Sequence, residues 1–375
     1  MSTDIAREDL LKLINLVRPA LSTLDYIPAL KHVRFAGGEV TAYNDISAIA
    51  VRLPSDDLDL DLCVPGDLLI RTLGSFNAKS VMLQTDSKGA ALLVTSGRSK
   101  IKMPVLPSKD FPLSVPEGSS KTPVIDLDEH ILKGISQCLI SVGNDPTHPA
   151  TMGVTLDCED GRAVLYSTDN ATISRAATKS KIKLPADAPV ILPTFFCEQL
   201  ISLLKAFPKT EIELELHPGA LVAYFWGEAG YETKLATLFS KTLVDTQPLD
   251  FPKIIAKHCN VESEAQKDWQ PIPDAFDAAF SRALLVLQSE QDKVTKIGVR
   301  SDQLDLHSHS SLGDSMDTLK IKATDDPQLS EFYVDPGLVA RACKSCTHMG
   351  LFKRVMVLGD EKRNFLHLLS HCTAG

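Results

Sequence analysis

The strongest constraint on this chain is that it repeats itself. The segment GGEVTAYNDISAIAVRL, from Gly37, returns as DGRAVLYSTDNATISRAA, from Asp160. At one constant offset Val40, Asp45 and Ile49 fall opposite Val164, Asp169 and Ile173. Both copies open on a tight-turn signal and continue into strand-like residues. RSDQLDLHSHSSLGDSMDTLKI, from Arg300, has the same form with weaker identities. A second unit recurs as CVPGDLLIRTLGSF from Cys63, ILPTFFCEQLISLLKAF from Ile191 and YVDPGLVARACKSC from Tyr333. Each predicts a short strand, a proline at the helix entrance (Pro65, Pro193, Pro336) and an amphipathic helix. Proline suits that place because its missing N–H would be unpaired in a first turn anyway. A third unit is an earlier helix in each copy: REDLLKLINLVRPAL from Arg7, LDEHILKGISQCLISV from Leu127 and IPDAFDAAFSRALLVLQ from Ile272. In the first of these Leu10, Leu13, Ile14 and Val17 recur at helical spacing.

Repetition on this scale means one supersecondary unit used several times. Each third reads helix, strands, strand-Pro-helix, strands, which is an α+β chain. The expected domains are residues 1–120, 121–255 and 256–375. The tripeptide Asp-Phe-Pro, at Asp110 and again at Asp250, marks the exit from a copy, and the polar stretch KHCNVESEAQKDWQP follows the second boundary. A chain of 375 residues is too long for one ordinary core, which agrees with several domains. With 44% apolar and 23% charged residues the composition is that of a soluble globular protein. No apolar run reaches the roughly 20 residues of a membrane span. The start, MSTDIAREDLLKL, lacks the apolar core of a signal peptide. Eight scattered cysteines form no disulfide framework, so a cytoplasmic location is expected. A net charge of −9 excludes gripping nucleic acid with the whole surface but not with a local basic face.

Four blocks, VPGDLLIRTL, TSGRSKIKMPVLPSKDFP, MGVTLDCEDGRAVLYSTDN and LPTFFCEQLISLL, give the chain a resemblance to a known family. It resembles the bacterial-type DNA polymerase sliding clamp, the beta subunit and processivity factor of the replicative polymerase. The resemblance implies three clamp-type domains per chain, with helices lining a ring and antiparallel sheets outside. Two chains would close head-to-tail into a homodimer around double-stranded DNA, independent of its sequence. Such a ring is not an enzyme and needs no cofactor; it tethers the DNA polymerase and the clamp loader, which dock through short apolar peptide motifs. The alternative is a clamp-fold protein that stays monomeric and acts as a peptide-binding or inhibitory module.

Helix faces carry the DNA expectation. Opposite each apolar stripe stand Lys12, Arg71, Lys133, Lys205, and Arg341 with Lys344; the helix from Ile272 offers only Arg282. Glu8, Asp67 and Glu198 share these faces and dilute the field, as suits contacts that must stay weak enough to slide. The resemblance further implies a client-peptide pocket at Thr151, Thr168, Asn170, Ile173, Pro252, Leu366 and Leu368. It also implies a dimer interface in which an edge strand with Arg98, Lys100 and Ile101 meets the partner's third domain beside Leu285 and Val286. The chain departs from the family at Asn170-Ala171-Thr172-Ile173 and in its tail, LLSHCTAG, so a different or shallower peptide is expected.

Cys343-x-x-Cys346 with His348, and His371-Cys372, raise a metal reading. A structural zinc site needs four convergent ligands, however, and the cysteine pair falls on the apolar stripe of Leu338, Val339 and Ala342. No metal is expected. His307-x-His309 alternates on a predicted strand and reads as surface. No phosphate loop, nucleophile elbow or catalytic carboxylate pair stands in a fitting context. Asp45 and Asp169 read as turn-forming carboxylates.

Overall fold

The computed structural model describes all residues except 1–2, 25, 55–57, 59, 88, 228–232, 244–245, 259–268, 292, 301, 323–330, 353–354 and 373–375. Most of the polar stretch KHCNVESEAQKDWQP, and the end of the tail, therefore lie outside the described residues. Seven α-helices are described: α1 Arg7–Val17, α2 Gly66–Ser75, α3 Glu129–Cys138, α4 Thr194–Ala206, α5 Phe251–His258, α6 Phe276–Val286 and α7 Pro336–Cys343. Six stand where the repeats place them; α5 is an addition that the sequence did not signal. Strands Leu62–Pro65, Val190–Pro193 and Glu331–Val334 precede α2, α4 and α7, each entered through its proline. At α7 the Asp335 carboxylate caps the helix by accepting from the Gly337 N–H at 2.7 Å. Helix α7 ends at Cys343, a turn short of the expected stripe, so Cys346 and His348 lie beyond it.

By packing, the chain forms two compact units, residues 1–128 with 195–244, and 129–194 with 245–375. Every strand pairing in both is antiparallel. The first unit holds a four-stranded sheet, in spatial order Thr3–Ala6, Ser80–Thr85, Ala91–Ser96, Ser99–Pro104. Its nine-stranded sheet joins strands from two copies of the repeat, the seam being Ser47–Arg52 against Lys234–Lys241, with Ile49 opposite Leu238. The second unit repeats the plan. Its four-stranded sheet runs Gly313–Lys320, Gln303–Ser310, Thr295–Arg300, Glu331–Val334. Its eight-stranded sheet has a seam between Thr172–Lys181 and Phe365–Ser370, with Ile173 opposite Leu368.

The two Asp-Phe-Pro segments back these seams. Phe111 packs in a cluster with Leu30, Tyr43, Val222 and Phe239 in the first unit. Phe251 packs with Val164, Tyr166, Val357, Leu366 and Leu368 in the second, its ring stacked on that of Tyr166 at 5.0 Å. Each phenylalanine thus covers the line where strands of successive copies meet.

The turns of the repeat correct its alignment by one residue. Asn44 Oδ1 accepts from the Ile46 and Ser47 N–H groups at 3.0 and 2.8 Å. Asp169 Oδ1 accepts from those of Ala171 and Thr172 at 3.0 and 2.6 Å. The following residues, Asp45 and Asn170, are both left-handed, with φ of 79° and 70°. Asn44 therefore matches Asp169, and Asp45 matches Asn170, because asparagine and aspartate can exchange these two jobs. Asp169 forms its turn as expected, whereas at the first turn Asn44 takes that role.

Truncating Phe251 leaves a cavity under the second seam. Phe251→Ala should destabilise the protein by about 3–5 kcal/mol, read as a lower urea midpoint. An unchanged midpoint would contradict the packing described.

Candidate functional site

The implied peptide pocket falls within the second unit, on one face of its seam. Ile173 from one strand and Leu366 and Leu368 from the next meet in a single apolar cluster. Alternation along a strand puts Leu366 and Leu368 on the same side. Both are only 2% exposed, so they are the floor of the cluster and not an open wall. Ile173 is half-buried and, with Leu249, Ala177 and Trp269, forms its accessible margin. Pro252 is exposed in the first turn of α5 and stands outside the cluster; its neighbour Phe251 takes the inner position. Thr168 and Asn170 serve the adjoining turn. The Thr168 hydroxyl donates to the Thr172 carbonyl at 2.6 Å and accepts from the Asn170 N–H at 3.1 Å. Thr151 is buried, its hydroxyl donating to the His148 carbonyl at 2.9 Å, and it is not part of the cluster.

A polar rim adjoins the cluster. The Tyr166 phenol donates to Glu159, whose other oxygen lies 3.5 Å from Nη2 of Arg175. Burial pushes the Tyr166 pKa up, so the phenol stays a donor. Arg175 pairs with Leu366 across the seam.

The opposite face of the seam is fixed by a buried hydrogen-bond network. His367 Nδ1 lies 2.9 Å from Ser174 Oγ and 3.1 Å from Ser141 Oγ. The Thr172 hydroxyl donates to Ser141 at 2.9 Å. This network clamps the strand carrying Leu366 and Leu368 to its neighbour and to the turn Leu139–Ser141 that follows α3. Nε2 of His367 has no partner among the described residues. Burial, with the charge of Arg341 as a smaller cause, lowers the His367 pKa to about 3.

All six predicted helix-face cations, Lys12, Arg71, Lys133, Lys205, Arg341 and Lys344, are exposed. Among the described residues none of them makes an ion pair; Arg71 Nε donates to the Asp67 carbonyl on its own helix at 3.3 Å. Arg282 is different, since its guanidinium is held by Asp317 at 2.5 and 3.2 Å. On α1 Leu10, Ile14 and Val17 are the buried positions, leaving Lys12 to solvent.

The residues expected at a subunit contact are also accessible. Strand Ser99–Pro104 is a sheet edge, paired on one side only with Ala91–Ser96 among the described residues. Lys100 and the half-buried Ile101 lie on it, while Arg98 sits in the preceding turn. Strand Gly313–Lys320 is an edge of the other small sheet. Met316 on this strand is 73% exposed; on α6 beside it Leu285 is 63% exposed and Val286 is half-buried.

No protein-family model matches the sequence, and no curated protein matches it by sequence. Solved structures do match in shape. The DNA polymerase sliding clamp from Caulobacter crescentus superposes with a TM-score of 0.79 at 17% identity, covering 100% of both chains. The DNA polymerase III beta subunit from Thermotoga maritima gives 0.81 at 13% identity, again over 100% of each chain. The Pseudomonas aeruginosa sliding clamp bound to griselimycin gives 0.82 at 17% identity over 100% of each.

The chain has the sliding-clamp fold.

Within this clamp fold several residues of the candidate pocket escaped the sequence reading: Tyr166, Phe251, Leu249, Glu159 and Arg175. The second Asp-Phe-Pro is the sequence signal for Phe251, whereas the resemblance points to its neighbour Pro252. Elsewhere in the fold the cysteine pair is core-like. Burial raises the Cys343 thiol to about 12 and raises that of Cys346 as well, which disfavours the thiolate that a metal would need. Among the described residues no group of three His, Cys, Asp or Glu is placed to hold a metal. His307 and His309 are exposed and share Asp314, at 3.3 and 2.8 Å. No described helix is long and apolar enough to cross a membrane.

The buried histidine gives a pH signature to the clamped strand. Unfolded, His367 takes up its proton near 6.5, whereas folded it stays neutral down to about 3. The unfolded state therefore binds more protons between those values. The stability from neutral His367 is complete above about 6.5 and is lost as pH falls toward 3. His367→Gln removes this titration. The stability difference between wild type and variant should change by about 1.4 kcal/mol per pH unit across that window, measured by urea denaturation at several pH values. A pH-independent difference would contradict the buried neutral state.

Proposed function

We propose that this chain is a DNA sliding clamp: two copies close into a ring around double-stranded DNA and hold the replicative polymerase there. The observation that carries this reading is the full-length match to sliding clamps together with five exposed, unpaired cations on five helices of the repeat and a sixth, Lys344, just past the end of α7. The repeat supports three domains, at residues 1–120, 121–255 and 256–375. A ring of this kind acts by binding and needs neither catalytic residue nor cofactor. Its place of work is the cytoplasm, where the DNA is.

The subunit contact in this reading brings the edge strand with Lys100 and Ile101, and the turn with Arg98, against the partner's third domain. Unpaired edges invite strand addition, and exposed Leu285 beside Val286 supplies an apolar contact. Client peptides from the polymerase and the clamp loader dock over the second seam, where Ile173 is the accessible apolar anchor. Thr168 and Asn170 shape the turn beside it, Leu366 and Leu368 form the floor, and Pro252 and Thr151 flank the site. Fully burying one leucine-sized side chain is worth roughly 1.5–3 kcal/mol, so one or two anchors give an exchangeable contact. Several enzymes can then take turns on one tether.

The DNA face is tested by neutralising Lys12, Arg71, Lys133, Lys205, Arg341 and Lys344 with Gln. Duplex binding should weaken without any change in sequence preference. The dependence of affinity on salt should flatten as well, because each lost phosphate contact releases fewer counterions. Unchanged affinity and an unchanged salt slope would remove these helices from the DNA path.

A further inference from the structure

The second unit carries a basic cleft of which only Lys133 has a role above. It has a volume of about 290 Å³ and lies between α3, the end of strand Thr172–Lys181, and the hairpin that joins Val355–Gly359 to Phe365–Ser370. Lys133 comes from the helix, Lys179 from the strand and Lys362 from the hairpin. Among the described residues none of the three has an ion-pair partner, and all are exposed. His130 adds a fourth basic side chain, 4.0 Å from Glu129 on its outer side.

Backbone packing fixes the shape of this cleft. Helix α3 is seated on the strand at Gly134, where a Cβ would meet Leu165 Cδ1 at 2.6 Å and the Ala176 Cβ at 3.3 Å. The hairpin is pinned to the same strand by the Ala177 N–H, which donates to the Asn364 carbonyl at 2.7 Å. The walls are thus held by their backbones while the lysines are left free. The one carboxylate in the lining, Asp360, is committed to its own turn. It accepts from the Phe365 N–H at 3.0 Å and from Asn364 Nδ2 at 3.3 Å.

We propose that this cleft binds a phosphate group. Three ammonium groups from three elements outnumber the single carboxylate, inside a chain whose net charge is −9. A solvated surface would scatter such charges or pair them. Gathering them without counter-ions in a concave site raises the local concentration of anions. Lysine serves as a point-charge ligand for phosphate, whose several oxygens can accept from more than one ammonium at once. The Asn364 and Gln137 amides supply further hydrogen-bonding capacity along the lining. The concave shape of the cleft points to a free phosphorylated small molecule, since a DNA backbone is already the partner proposed for Lys133. The inference stands on one compact unit and does not depend on ring closure.

The test compares wild type with Lys179→Gln/Lys362→Gln, which touches none of the six helix-face cations. Two probes are titrated: inorganic pyrophosphate by calorimetry, and a short linear DNA duplex by fluorescence anisotropy. Lys121→Gln/Lys257→Gln serves as a control of equal charge change. The proposal expects pyrophosphate to bind wild type and to bind the cleft variant at least tenfold more weakly, with the control like wild type. Loss of duplex binding alone would return the cleft to the DNA face already proposed and overturn the free-anion site. If pyrophosphate does not bind wild type, if the cleft variant matches wild type for it, or if the control falls equally, the proposal is overturned. Both substituted lysines are exposed, and an unchanged thermal midpoint confirms the fold.

Discussion

The structure depends on two antiparallel seams. Ser47–Arg52 pairs with Lys234–Lys241, and Thr172–Lys181 pairs with Phe365–Ser370. Each joins strands from successive copies of a repeat into one sheet, so each packing unit is built from parts of two copies. A slip of one residue at a seam would exchange its two faces. At the second seam that would take Leu366 and Leu368 out of the apolar cluster and bring His367 into it. The register is held from both sides: a stacked Tyr166–Phe251 pair covers one face, and the Ser141–Ser174–His367 network locks the other. The same strand pair therefore carries both the core and the candidate client site.

Electrostatics are divided in the same economical way. The chain is acidic as a whole, and many of its surface cations are paired, as in Arg282 with Asp317 and Lys296 with Glu331. The cations proposed to face DNA are unpaired, so their field is available to phosphate. Glu8 and Asp67 share the faces of Lys12 and Arg71, which in the proposed ring would keep contacts to phosphate weak enough to slide.

Much of this was legible in the sequence, because repetition multiplies weak signals. Pro65, Pro193 and Pro336 each mark a helix entrance that the structure contains, and the alternation after Gly37 and Asp160 became strands. Less visible were features that depend on contacts distant in sequence. Helix α5 is a short addition with no counterpart after the first Asp-Phe-Pro, so the repeat could not announce it. The one-residue shift between Asp45 and Asp169 was hidden because asparagine and aspartate each serve both turn positions. Periodicity gave Leu366 and Leu368 a common face, yet it could not tell a pocket wall from a floor, which Phe251 decides by covering them. The end of α7 was misplaced because the apolar spacing continues through Cys346 after the helix has stopped.

In the proposed ring, two chains hold DNA by enclosing it. The most direct measurement loads the protein onto nicked circular duplex with a clamp loader and follows its retention by gel filtration at a salt concentration that dissolves simple ionic contacts. A ring should stay on the circle and be lost when one restriction cut linearises it. Equal retention on circular and linear DNA, or equal loss from both, would contradict enclosure.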